Sequence, residues 1–310
     1  MSYVFTQEEP VAAGVRRIAR EQIDAAVAEL NDPALDRHEA VHQVRKRCKK
    51  LRALLRLVRP VLGDVYHAEN ARFRDAARTL SAVRDATALL EAYDALTAHY
   101  GATLDRRAAA PIRRALTLRR RHVAETFDLD GRIDAFLAEM EAARHAVDGW
   151  PLDADEFGAL DGGLRKTYGR ARRAMDHAYA APSDEAFHEW RKRVKYHWYH
   201  SRLLAAVWPG VMAPRTDALD TLAGLLGDEH DLAVFRQVLT GEPERFAGVQ
   251  ALGAFLGLLD RRRAELQAEV RPLGRRLLAE PPKALAHRLG TYWAVWREDP
   301  ARSPALAAAA

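Results

Sequence analysis

His42-Gln43-Val44-Arg45-Lys46-Arg47-Cys48-Lys49-Lys50-Leu51-Arg52-Ala53-Leu54-Leu55-Arg56 carries two stripes along one predicted helix. At helical spacing Val44, Cys48, Leu51, Leu55 and Val58 fall within about 40° of one meridian, which makes that face the core side. His42, Arg45, Lys49, Arg52 and Arg56 step by three and four residues and cluster at about 80° to 160° from it. This second row is basic throughout, and no Asp or Glu lies between Glu39 and Asp64. Solvated helices usually mix acids and bases three or four residues apart, so this row lacks its counter-charge locally. Its partner must come from elsewhere in the chain or from a ligand.

Outward from that helix the chain reads as helical. Among 310 residues, 48% are hydrophobic, glycine and proline are sparse, and β-branched runs are nearly absent. An all-α fold with sizeable cores follows. Val11, Val15, Ile18, Ala25 and Leu30 mark a first amphipathic helix ending at Asn31-Asp32-Pro33. The quoted helix is expected over residues 37 to 61, a long third over 66 to 99, and a fourth over 103 to 126. Joined by short turns, these four predict a bundle. An acidic helix over residues 131 to 147 reads as a connector. The stretch through Gly158 and Gly162-Gly163 reads as a loop and as the boundary region between the halves.

After that loop the pattern returns. Asp184-Glu185-Ala186-Phe187-His188-Glu189-Trp190-Arg191-Lys192-Arg193-Val194-Lys195 repeats the segment from His38 to Lys49 at an offset of 146 residues, the separation of His188 from His42. Leu80 and Asp85 find Leu226 and Asp231 at the same offset, and the arginines 119 to 121 have counterparts in 261 to 263 after a small shift. The expected architecture is therefore two pseudo-two-fold-related four-helix bundles from an internal duplication, with connecting and C-terminal helices. Residues 1–150 form one repeat and residues 151–310 the other. In the second copy His188, Arg191, Lys195 and Arg202 line one side of an apolar face of Trp190, Val194 and Leu204, with Trp198 where the first copy has Arg52.

Rows of arginine forks and lysine point charges suit a polyanion with regularly spaced charges. Each row is a ladder about 20 Å long, better matched to a linear anion than to a compact ligand. The bland alternative is a solvated face paired with the acidic connector. His42 and His188 head the rows, but Arg45, Lys46, Arg191 and Lys192 occupy the positions where a second metal ligand would stand. They are expected to donate hydrogen bonds to phosphate or, more simply, to be structural histidines at helix starts. His230-Asp231 resembles a phosphohydrolase metal pair, yet the repeat sets Arg84 opposite His230. Asp85 and Asp231 are better placed to orient a row cation, or to cap a turn. Arg16, Arg20, Arg165 and Arg172 flank the first helix of each copy, and Arg119, Arg120 and Arg262 extend the basic set. No phosphate loop, nucleophile elbow or paired carboxylates are visible, so no catalysis, metal or cofactor is expected.

Nucleic acid is the rival partner, because Trp190, Tyr196, Trp198 and Tyr199 stand near the second row. Trp190 falls on the core side, however, and the first row has no aromatic companion. The net charge of +5 is mild. The lone Cys48 lies on the apolar stripe and is expected to be buried, which fits a reducing compartment. The start has neither the bases nor the apolar run of a signal peptide, and no run is long enough to span a bilayer, so a soluble cytoplasmic protein is expected. Tyr292-Trp293 and Trp296 should cover a bundle end, and the tail after Asp299 is expected to be disordered.

The residues His42-x-x-Arg45-Lys46-x-x-Lys49 and His188-x-x-Arg191-Lys192-x-x-Lys195, each followed by Leu80 through Asp85 or Leu226 through Asp231, resemble the CHAD family, named for conserved histidines in an α-helical fold. The resemblance extends from about residue 8 to about residue 298. It implies two four-helix bundles whose basic residues face a central groove or pore, and binding of inorganic polyphosphate. Some members stand beside triphosphate-tunnel domains or on polyhydroxyalkanoate granules, so granule proteins become possible partners; this chain resembles a stand-alone member. Carried over by position, the resemblance puts His42, Arg45, Lys46, Lys49, Arg52, His188, Arg191, Lys192 and Lys195 at the anion surface. RNA binding, and less favourably metal-dependent phosphohydrolysis, stay open as alternatives.

Overall fold

The computed structural model describes residues 3–101, 104–154, 156–246 and 252–300, apart from the side chains of residues 83, 106, 243 and 244. Among these residues there are twelve α-helices and no strand. They are α1 (Val11–Asn31), α2 (Arg37–Leu57), α3 (Arg59–Leu62), α4 (Val65–Thr79), α5 (Ser81–His99), α6 (Arg106–Thr126), α7 (Leu129–Ala146), α8 (Gly158–Ala180), α9 (Asp184–Leu203), α10 (Pro209–Gly241), α11 (Leu252–Leu277) and α12 (Pro282–Glu298). The all-α reading holds. The expected fourth helix started at Thr103, outside the described residues, and so does most of the tail expected to be disordered, from residue 301 on.

Side-chain caps start the helices that matter. Asp36 accepts hydrogen bonds from the His38 and Glu39 amides at the head of α2, and Ser183 accepts from the Ala186 amide at the head of α9. Each satisfies donors that the first turn leaves unpaired. The apolar stripes behave as expected, since Val44, Cys48, Leu51 and Leu55 of α2 and Trp190 and Val194 of α9 are fully buried. Phe5 and Trp296 pack edge-on against Trp293, which closes the end of the core beneath α12.

Two apolar clusters hold the molecule together. The larger takes Ile18 from α1, Leu54 from α2, Phe73 from α4, Phe136 and Met140 from α7, Tyr168 from α8, Trp190 from α9 and Trp293 from α12. The smaller joins Tyr93 and Leu96 of α5 and Ile112 and Leu116 of α6 to Phe235 of α10 and Phe255 and Leu259 of α11. Tyr93 stacks on Phe255 at 5.5 Å between ring centroids. Both clusters draw residues from both halves of the chain.

Three expectations about the helices change. The predicted third helix is broken at Leu80, which is buried in the larger cluster, and beyond it α5 turns away to bury Tyr93 and Leu96 in the smaller one. The acidic helix is no mere connector: α7 packs on α1 and α4, because Phe136, Met140 and Ala143 give it an apolar face. α6 packs instead on α5. Finally, Gly158 and Gly162-Gly163 are not a loop but the first turns of α8. Gly163 is there for close approach, since a Cβ at that position would overlap the Leu57 carbonyl oxygen at the end of α2.

Candidate functional site

The basic rows of α2 and α9 meet because α2 is clamped from two sides. α8 presses on its last turn through Gly163. α9 packs along it, with the His200 imidazole donating from Nε2 to the Ala53 carbonyl at 2.9 Å. Burial holds the pKa of His200 down to about 4, so it is a neutral tether rather than a charge. The N-terminal segment straps the pair, with the Phe5 amide on the Leu203 carbonyl at 3.0 Å and the Tyr3 hydroxyl on the Lys50 carbonyl at 2.8 Å.

Lys49 lies where the rows converge. Its side chain is exposed to solvent yet partly desolvated by the protein around it. Desolvation there, followed by the fields of Arg191, Arg45, Lys195 and Arg84, pushes its pKa down to about 8. The Arg45 guanidinium is pinned by donating to the Ala77 carbonyl at 2.5 Å. Lys195 has Asp220 at 3.5 Å and sits 4.0 Å from the Trp198 ring centroid. Its pKa is also lowered, first by burial, with Asp220 opposing. Arg191 lies over Gly227 of α10, with its Nε buried and without a hydrogen-bond partner among the described residues.

Further along α2, Arg52 and Arg56 share the Asn70 side-chain oxygen at 3.3 and 2.7 Å, and Arg56 stacks over the Tyr196 ring at 3.9 Å. On α9 Trp198 does not interrupt the row so much as carry it, because Arg202 lies 5.0 Å from the ring that Lys195 also covers. His42 stands half-buried at the start of the α2 row, its pKa lowered by burial and then by Lys46 and Arg84. His188 faces His230, Nδ1 to Nδ1 at 3.2 Å, and burial followed by the field of His188 holds His230 down to about 3. Lys46 remains half-exposed on the α2 face and Lys192 pairs with Glu189 at 2.5 Å.

Most of the other candidate cations are taken by acids or carbonyls. Arg16 donates to the Trp150 carbonyl at 2.7 Å and Arg20 pairs with Asp148. Arg165 pairs with Asp161 at 2.6 Å, Arg119 with Glu242, and Arg262 with Glu265 at 3.3 Å. Arg120 is exposed on α6 and Arg172 half-exposed on α8. Asp85 is exposed and felt by Arg45 through space. Asp231 is half-buried with its pKa raised, first by burial, against the pull of Arg191 and Arg84. Neither hydrogen-bonds a row cation among the described residues.

The residue the sequence reading passed over is Arg84 of α5, which contributes to the field on both His42 and Lys49 while pairing with Glu91 at 2.7 Å. Its only signal was the repeat, where it stands opposite His230. No group of three or more His, Cys, Asp or Glu among the described residues could hold a metal ion. No helix among them is long and apolar enough to cross a membrane.

Comparison with known proteins follows the geometry. Two Mycobacterium tuberculosis proteins named only as uncharacterized, from strains CDC 1551 / Oshkosh and ATCC 25618 / H37Rv, are each 30% identical over 243 residues, covering 74% of this chain and 46% of theirs. The chain thus spans about half the length of these relatives. In fold it is similar to PptA from Streptomyces chartreusis, with a TM-score of 0.60 and 20% identity over 88% of this chain and 100% of that one. The CHAD domain matches residues 17–240, which takes in α2, α9 and nearly all of α10. With that match over most of its length, the chain belongs to the CHAD domain family.

Proposed function

We propose that this protein binds inorganic polyphosphate, without turning it over, in the site between the basic rows of α2 and α9. The observation that carries the reading is Lys49, a cation whose pKa is lowered by the fields of four others, Arg191, Arg45, Lys195 and Arg84. Such crowding opposes folding unless an anion relieves it, and a linear chain of phosphates supplies one charge after another along both rows. Family membership supports the ligand class. Cys48 offers no nucleophile to that site, since it is wholly buried and its thiol pKa is pushed up to about 12.

RNA fits less well, because the aromatics beside the rows are buried or already covered. Trp198 carries Lys195 and Arg202, and Tyr196 carries Arg56, so stacking a base would displace a cation. In competition at matched phosphate concentration, polyphosphate should displace single-stranded RNA; the reverse order would favour the nucleic-acid reading.

Calorimetric titration tests the site directly. Long polyphosphate is expected to bind far more tightly than triphosphate, with affinity falling steeply as salt rises. Equal affinity for the two lengths would refute a groove. The pH dependence has a definite sign. A bound polyanion raises the pKa of Lys49 above its free value of about 8, so binding takes up a proton and affinity falls as pH rises beyond about 8. Titrations in buffers of different ionisation enthalpy should show that uptake, and Lys49→Arg should reduce it.

A further inference from the structure

Beside the groove lies a second basic recess that the repeat does not account for. It is lined by Arg56, Arg59, Lys166, Arg170 and Arg193 around Tyr66, Thr167 and Tyr196. Arg56 belongs to both places, since it ends the α2 row and stacks on Tyr196. Arg59 lies 4.5 Å from the Tyr66 centroid, so the two rings support two guanidinium planes side by side. Lys166 and Arg170 stand four residues apart on α8 and present the same face.

None of the lining residues is an acid. Arg193 alone has a carboxylate, Glu189, at 2.6 Å from its Nε. For Lys166 and Arg170 and for Arg59 no ion pair forms among the described residues, and the pKa of Lys166 is lowered chiefly by Arg59. Exposed as it is, Lys166 has ample room to turn away. The recess is therefore a standing excess of positive charge, continuous with the groove through one shared arginine.

The opposite flank differs. Under the offset of the sequence repeat, Lys166, Arg170 and Arg193 correspond to Arg20, Asp24 and Arg47. Arg20 pairs with Asp148, Asp24 accepts from Arg144 at 2.7 Å, and Arg47 is held by Glu29 at 2.6 Å and by Gln22 at 3.0 Å. Acids from α1 and Asp148 just beyond α7 pair the cations at these positions, although Lys50 beside Arg47 has no ion pair among the described residues, so a polyanion gains less there than at the recess.

We infer that the recess of Arg56, Arg59, Lys166, Arg170 and Arg193 is a second phosphate-binding station, through which a polyphosphate chain leaves the groove on the α8 side alone. The inference rests on the polyphosphate reading of the groove and adds a direction to it. Chains too short to pass Arg56 do not reach the station, and longer ones gain its contacts in addition.

The test is long-chain polyphosphate affinity, measured on the full chain. Lys166→Glu with Arg170→Glu should weaken it by about tenfold to a hundredfold, as expected for reversing two charge-assisted contacts. Arg47→Gln on the opposite flank should change it by less than about twofold. Should the charge reversal impair folding by circular dichroism, Lys166→Gln with Arg170→Gln serves in its place and should still weaken binding by about fivefold or more. Wild-type affinity in the recess variants, or an equal loss at Arg47, overturns the one-sided exit while leaving the groove standing. A wild-type protein that binds no polyphosphate overturns the groove reading itself.

Discussion

Replacing Lys49 and Arg191 together by glutamate is expected to abolish polyphosphate binding, by about a thousandfold or more, and Lys49→Glu alone is expected to raise the melting temperature rather than lower it. Each side chain is asked to give a charge-assisted contact of about 1.5–3 kcal/mol, and reversal adds repulsion to the loss. The stability sign follows from the pKa. Lys49 titrates near 8 in the folded state, below its ordinary value, so its charge opposes folding at neutral pH and that penalty lifts only as pH rises beyond about 8. A glutamate there would sit among Arg45, Lys195 and Arg84 and turn repulsion into attraction. A gain of about 1 kcal/mol corresponds to about 1–2 °C in a chain of this length. A surface lysine with no ligand would show neither effect, and a structural one would lose stability. Binding by calorimetry and melting by circular dichroism read the two together. Unchanged binding would remove Lys49 and Arg191 from the site.

Gly163→Ala is expected to destabilise the fold by about 3 kcal/mol or more and to weaken binding as well. The added methyl would overlap the Leu57 carbonyl oxygen and crowd that of Arg56, and backbone atoms cannot swing aside as a side chain does. α8 must then withdraw from α2. The separation would pull Lys166 and Arg170 away from Arg56 and open the larger apolar cluster near Leu160 and Leu164. Gly158→Ala is the matched control, because no atom outside the local helix lies within 4 Å of a Cβ at that position. It should be neutral or stabilise by up to about 1 kcal/mol. Chemical denaturation distinguishes the two; a Gly163 variant as stable as wild type would mean that α2 and α8 do not approach so closely.

Gly163 also shows where local reading fails. In sequence, Gly162-Gly163 shortly after Gly158 reads as a loop, because glycine in a loop and glycine at a helix contact look alike until the second helix is in place. The break at Leu80 was hidden for the same reason: no glycine or proline marks it, and the division of α4 from α5 between two apolar clusters is a long-range fact. α7 was read by its charge, while the few apolar residues that dock it, Phe136, Met140 and Ala143, were outnumbered.

The sequence by itself determined the helices, the burial of Cys48 and Trp190, and the phase of the basic rows on α2 and α9, since period and propensity are local properties of a chain. Only the tertiary structure decided which cations remain available. Arg20, Arg119 and Arg165 met acids, two of them from the segments that follow α7 and α10. Lys49 met Arg191, Lys195 and Arg84 instead. An arginine's charge is written in the sequence, but its counter-charge is chosen by packing, often more than a hundred residues away. The quoted helix is thus a basic row in any context, and a candidate binding wall only because α9 lies against it.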